Sequence, residues 1–154
     1  GPIYLRLTRQ NLEPVHDEGY RFQFGRAHPL RSGNDVSILA SGGPLWNSLE
    51  AARTLAAEGI HADVINVSTI KPLDEETILR SAGKTGHVVT VEDHALSGGL
   101  GGAVAELLAE EMPTPLRRVA VRGFGESGDA KGLYAKHGLD AAGIAGSVRK
   151  FLGR

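Results

Sequence analysis

The sequence predicts an α/β protein, a three-layer αβα sandwich around a mostly parallel sheet of about five strands, and three observations carry that prediction. From residue 35 onward, short β-rich runs alternate with helical patterns, the order that lays helices over the faces of a parallel sheet. Each run is only five to seven residues and rich in Val and Ile, as expected of strands covered on both sides. The helical patterns between them begin and end on recognisable signals.

Four strands are read in this region: DVSILA (35–40), HADVINV (61–67), HVVTVE (87–92) and RRVAV (117–121). The first helix spans about Pro44 to Glu58, with Pro44 where its missing N–H costs nothing and Gly59 as the stop. Leu45, Leu49, Ala52, Leu55 and Ala56 follow the helical period and form its buried stripe. A second helix opens at Asp74, whose carboxylate can accept free N–H groups of the first turn, and is expected to end at Gly83. The third runs from about Gly99 to Glu111, stopped by Pro113 and Pro115. Two more follow the last strand, a short one near Ala130 to Lys136 and another from Asp140 to Leu152.

The first 34 residues stand outside this scheme. Gly1 to Leu7 reads as a strand, with Ile3, Leu5 and Leu7 on one face, and about 25 residues rich in Gly and Pro separate it from the rest. The expected organisation is a terminal strand of a preceding domain (1–10), a linker (11–34) and an α/β domain (35–154), with YRFQFGRA (20–27) as a possible edge strand or hairpin. An extra edge strand of the same sheet is the ordinary alternative for residues 1–7.

The 154 residues suffice for one domain that buries its core without a staple, and there is no cysteine for disulfides, thiolate chemistry or cysteine-bound zinc. Seventeen Lys and Arg stand against 18 Asp and Glu, so charge offers no case for nucleic acid. No apolar run approaches a membrane span and the first ten residues do not read as a signal peptide, so a cytoplasmic protein without membrane contact is expected. The 21 glycines are about twice the usual share, which implies many sharp turns or close backbone approaches.

GFGESG (123–128) has the spacing of a dinucleotide loop, but only helices follow it, so a glycine-rich turn is the better reading. GGLGG (98–102) reads as a closely packed helix start whose free N–H groups suit an anion. Asp93, His94 and Ser97 carry the residue types of a hydrolytic triad, yet neighbours at one strand end point apart. His94 gains interest from its place beyond a strand's carboxyl end, where open α/β sheets bind ligands; with Gly98 and Gly99 it outlines a possible ligand crevice. A loop histidine bonded to backbone is the ordinary alternative. His61 and Asp63 share a strand face but lack a third ligand, which leaves a metal site with little support. Arg9 continues the face of Ile3, Leu5 and Leu7, and a guanidinium there suits a phosphate or carboxylate; a solvated strand-end arginine is its ordinary alternative.

LRLTRQNL (5–12), TIKPLD (69–74), TVEDH followed by GGLGGAVAE (90–106), and GFGESG leading to HGLDAAGIAGSVRKFL occur in one order along nearly the whole chain, and together they resemble the C-terminal third of transketolase. The family making deoxyxylulose phosphate shares the glycine-rich pieces, but TRQN favours transketolase, and the beta subunits of 2-oxo acid dehydrogenases are more distant relatives. The resemblance implies the C-terminal α/β domain of a thiamine-diphosphate enzyme that passes a two-carbon ketol unit between sugar phosphates, preceded by the last strand of the pyrimidine-binding domain. It matches Arg9 to the arginine that holds the substrate phosphate. It implies no catalytic residue and no metal ligand in this chain: thiamine diphosphate and Mg would be bound by the complete enzyme, and this chain alone would bind neither and be inactive.

The implied partners are the upstream transketolase domains or a separate N-terminal subunit, in a homo-oligomer of the complete enzyme, with sugar phosphates as substrates. A natural split subunit and a truncated or proteolytic piece both fit. The competing expectation is a stand-alone, non-catalytic module binding a small anionic regulator at the crevice of Asp93 to Gly102.

Overall fold

A computed structural model describes residues 1–8 and 10–154. Five strands form one sheet in the order β1-β3-β2-β4-β5: β1 (His28–Arg31), β2 (Val36–Ser41), β3 (Ala62–Asn66), β4 (Val88–Ala95) and β5 (Leu116–Val121). All neighbours are parallel except β1, which runs antiparallel to β3. The helices are α1 (Leu45–Ala57), α2 (Glu75–Thr85), α3 (Leu100–Glu111), α4 (Ala130–His137) and α5 (Ala141–Leu152). This is the mostly parallel α/β sandwich that the alternating pattern predicts.

The central strands divide two cores. Val36, Ile38 and Ala40 of β2 face Leu55, Ile144 and Val148, so α1 and α5 cover one side; Leu39 faces the other core with Ile78, Val104 and Leu108 of α2 and α3. Ser37 also lies on the α2 side, where its hydroxyl bonds to Ser81 (2.6 Å) and Thr85 (2.7 Å). Asp63 of β3, 5% exposed, joins this polar seam through the Ser81 hydroxyl at 2.5 Å and the Lys84 ammonium at 2.6 Å. A buried carboxylate is tolerated because a cation and a hydroxyl donor satisfy it.

Two sequence expectations differ from the structure, the end of α2 and the place of the edge strand. The helix expected to stop at Gly83 continues to Thr85, and Gly86 in the left-handed conformation (φ 68°) ends it. Thr85 is held by its hydrogen bonds to Ser37 and to the Ser81 carbonyl, so tertiary contacts extend the helix past a glycine. The edge strand anticipated within 20–27 forms instead at His28–Arg31, inside the stretch read as linker. Pro29 is admissible there because an edge strand has one side free of ladder bonds. Residues 1–8 form no strand in this single chain, and Ile3, Leu5 and Leu7 are exposed. Strand geometry needs a pairing partner, and they have none here.

Asp74 ties the approach segment to the domain. Its carboxylate caps α2 through the Thr77 N–H (3.2 Å) and accepts the Ala27 N–H (2.8 Å) just before β1. Burial pushes its pKa upward, but those N–H donors, the Thr77 hydroxyl and the Arg26 charge outweigh it and hold the group below its usual 3.8. A folded pKa below the unfolded one gives stability that is complete above the unfolded value and lost as pH falls through the folded value. Asp74→Ala should therefore cost about 1–3 kcal/mol in urea unfolding at neutral pH. Asp74→Asn should flatten the acid-side loss of stability below about pH 3.8.

Candidate functional site

The carboxyl ends of the parallel strands gather the polar side chains. The β4–β5 ladder is irregular between Val91 and Ala95, which re-aims Glu92, Asp93 and His94. Glu92 is 1% exposed and reaches the start of α3, accepting the Leu100 N–H at 2.9 Å and the Gly101 N–H at 2.7 Å. The helix dipole favours a negative charge there, and both bonds are charge-assisted.

This contact explains Gly99, and close packing or backbone conformation explains two more glycines of GGLGG. A Cβ on Gly99 would lie 2.0 Å from Glu92 Oε2, and one on Gly101 would meet Arg118 Cδ at 2.8 Å and Thr90 Oγ1 at 2.9 Å. Gly98 supplies a positive φ of 82° in the turn before the helix. The free N–H groups that suit an anion are thus met by the protein's own carboxylate. His94 is part-exposed beside them, its Nδ1 3.5 Å from Glu92 Oε2.

Asp93 turns the other way and accepts the Tyr134 hydroxyl at 3.0 Å, linking β4 to α4. Burial first, and then the Asp93 charge and hydrogen bond, push the Tyr134 pKa well up, so the phenol stays a donor. Gly43 fits beneath this bond, since a Cβ there would stand 2.1 Å from the Tyr134 hydroxyl. His94 Nε2 and Asp93 Oδ1 are 3.8 Å apart, beyond hydrogen-bond reach.

Arg9 lies outside the described residues. The chain after it, Gln10 to Glu13, lines an opening of about 490 Å3 with Gly43, Trp46, Lys131 and Tyr134. Further on, His16 stacks on Tyr20, with ring centroids 3.6 Å apart, and its Nε2 meets the Asn66 side-chain amide at 2.9 Å at the end of β3. Burial first, then the neighbouring His28, lower the His16 pKa against a smaller opposing pull from Asp17. A neutral ring suits the Asn66 amide as donor. The approach segment therefore crosses the carboxyl ends of β2 and β3 before entering the sheet as β1.

Two other sequence candidates, Asp63 and His61, are engaged in contacts within the domain. Asp63 is occupied by Ser81 and Lys84, while the His61 N–H donates to Asp35 Oδ2 at 2.7 Å. GFGESG is an exposed loop: nothing approaches within 4 Å of a Cβ at Gly123 or Gly125, so close approach does not explain those glycines in this single chain. Asp129, next to Gly128, caps α4 through the Gly132 N–H at 2.8 Å. Among the described residues no three His, Asp or Glu side chains form a possible metal-ligand group. With the α3 N–H groups taken by Glu92, these residues do not fit a cradle for a magnesium-bound diphosphate. No helix of the described residues is long and apolar enough to cross a membrane.

Sequence reasoning did not single out Glu92 or Tyr134. An acid ending an apolar strand eight residues before a Gly-Gly helix start was the available signal for Glu92; the Tyr134 contact spans 41 residues and had none.

The family model for the transketolase C-terminal domain matches residues 25–144. The 6-deoxy-6-sulfo-D-fructose transketolase subunit of Clostridium sp. (strain MSTE9) is 51% identical over 94% of this chain and 45% of its own length. The 1-deoxy-D-xylulose-5-phosphate synthase 1 of Geobacter sulfurreducens is 45% identical over 99% of this chain and 25% of its own length. A solved structure described as a split gene transketolase, inactive beta4 tetramer, superposes with a TM-score of 0.90 at 44% identity, covering 94% of this chain and 48% of that one. The chain thus spans about half or less of these relatives.

Gly99→Ala should expel the Glu92 carboxylate and lower stability by about 2–4 kcal/mol in urea unfolding. Glu92→Gln keeps the shape but loses the charge, and a cost of about 1–2 kcal/mol is expected in the same measurement.

Proposed function

This chain belongs to the transketolase C-terminal domain family, and from that premise we propose that it forms the C-terminal part of a thiamine-diphosphate-dependent transketolase acting on sugar phosphates. The complete enzyme transfers a two-carbon ketol unit, with the cofactor supplying the electron sink when bound. Residues 1–10 complete the pyrimidine-binding domain of the upstream portion, residues 11–34 connect it to the α/β domain, and the chain alone is inactive. Its partner is that upstream portion, as a separate subunit or as preceding domains, in a cytoplasmic oligomer built on a dimer.

The observation that carries this reading is the exposed apolar alternation of Ile3, Leu5 and Leu7 beside a sheet that does not use it. Leaving three large apolar side chains in water forfeits burial worth roughly 1.5–3 kcal/mol each, which a partner sheet would recover. In the sequence Arg9 continues the alternation of Ile3, Leu5 and Leu7, and it is assigned to the substrate phosphate, where its fork can make paired charge-assisted bonds. The competing module is less favoured, because Glu92 puts a negative charge where its anionic ligand would sit.

Mixing the chain with a separately made polypeptide carrying the two upstream domains should yield ketol transfer that neither part shows alone. In that assembly Arg9→Ala should raise KM for phosphorylated sugars roughly ten- to hundredfold, the loss of about 1.5–3 kcal/mol of charge-assisted contact. Turnover by the chain alone, or an unchanged KM, would overturn the corresponding assignment. Amide exchange in residues 1–8 should be fast in the isolated chain and slow in the assembly.

A further inference from the structure

The far edge of the sheet carries an unassigned surface. Among the described residues β5 pairs with β4 alone, so the outer side of its backbone has no ladder partner. A cleft of about 290 Å3 follows this edge, lined by the consecutive residues Arg117 to Ala120 and by Arg122, with Lys136 and His137 from the end of α4 also on its wall. No Asp or Glu lines it. Lys136 is paired with Glu126, and Arg118 donates to the Leu96 carbonyl at 3.1 Å. Arg117 and Arg122 have no carboxylate partner among the described residues.

The distribution of charge identifies the occupant. Consecutive strand residues point to opposite faces, so Arg117 and Arg118 flank the edge from both sides of the sheet. Arg118 lies over the Gly101 end of α3, which places Arg117 on the α5 side. A compact anion can meet one face, whereas an extended chain presents side chains to both and also satisfies the free backbone groups. A second copy of β5 would add a second set of the same cations along this edge, which disfavours self-pairing.

We propose that the open edge of β5 docks an extended acidic segment of a partner polypeptide, which joins the sheet as a further strand and sets its carboxylates against Arg117, Arg118 and Arg122. The cationic edge then selects its partner as well as deterring self-association.

The test uses the full chain and hexaglutamate capped at both ends, with backbone amides followed by NMR. Shifts and slowed exchange should concentrate in residues 116–122. The same peptide methylated on alternate backbone nitrogens keeps its charge but loses donors, and should bind about tenfold more weakly. Arg122→Ala, at an exposed position, and Arg117→Ala should each weaken binding roughly three- to fivefold. Equal binding of the two peptides, undisturbed β5 amides, or displacement of hexaglutamate by an equal concentration of inorganic tripolyphosphate would overturn the proposal, the last by showing a small-anion site. Pairing of β5 with a second copy, seen as concentration-dependent protection without peptide, would overturn it as well.

Discussion

The carboxylate of Glu92 at the start of α3 is the constraint on which the upper end of this sheet depends. A charge buried to 1% exposure needs strong partners, and it finds two backbone N–H groups at a helix terminus. That demand requires Gly99 beneath it and places His94 alongside. Gly99 therefore serves an internal contact between β4 and α3. The same strand end sends Asp93 to Tyr134, so adjacent residues fasten helices that lie on different sides of the sheet.

Other junctions repeat this use of single carboxylates. Asp74 joins α2 to the segment entering β1, and Asp63 joins β3 to α2 through Ser81 and Lys84. Together they fix the chain from Ala27 onward, while His16 holds the preceding stretch to Asn66. Residues 1–8 receive no comparable anchor and keep their apolar face exposed. This contrast between a fastened approach and a bare leading segment underlies the proposed assembly with an upstream portion, and the cationic β5 edge offers a separate place for contact.

Much of the fold was legible because burial on both sides leaves a strong compositional trace. The Val and Ile runs around residues 36–41, 62–66, 88–95 and 116–121 could be placed without knowing their order in space. Asp74 was legible as a cap because capping is local. The stop at Gly83 was misleading because Thr85 is recruited by Ser37, 48 residues earlier. Strand β1 escaped notice because four residues containing a proline carry almost no pattern, and their pairing with β3 comes from distant sequence. The candidate site was legible only in part: His94, Gly98 and Gly99 were placed at a strand end, whereas Glu92 was passed over as one more strand residue.

By itself the sequence determined the α/β class, the succession of buried strands and amphipathic helices, and the family resemblance, because each is written in local periodicity or in ordered motifs. The tertiary structure decided the order of the strands, the antiparallel edge, the partner of each buried carboxylate and the side of the sheet to which each side chain turns. Those depend on contacts between residues far apart in the chain, and a local pattern contains no information about which distant donor will meet a given charge.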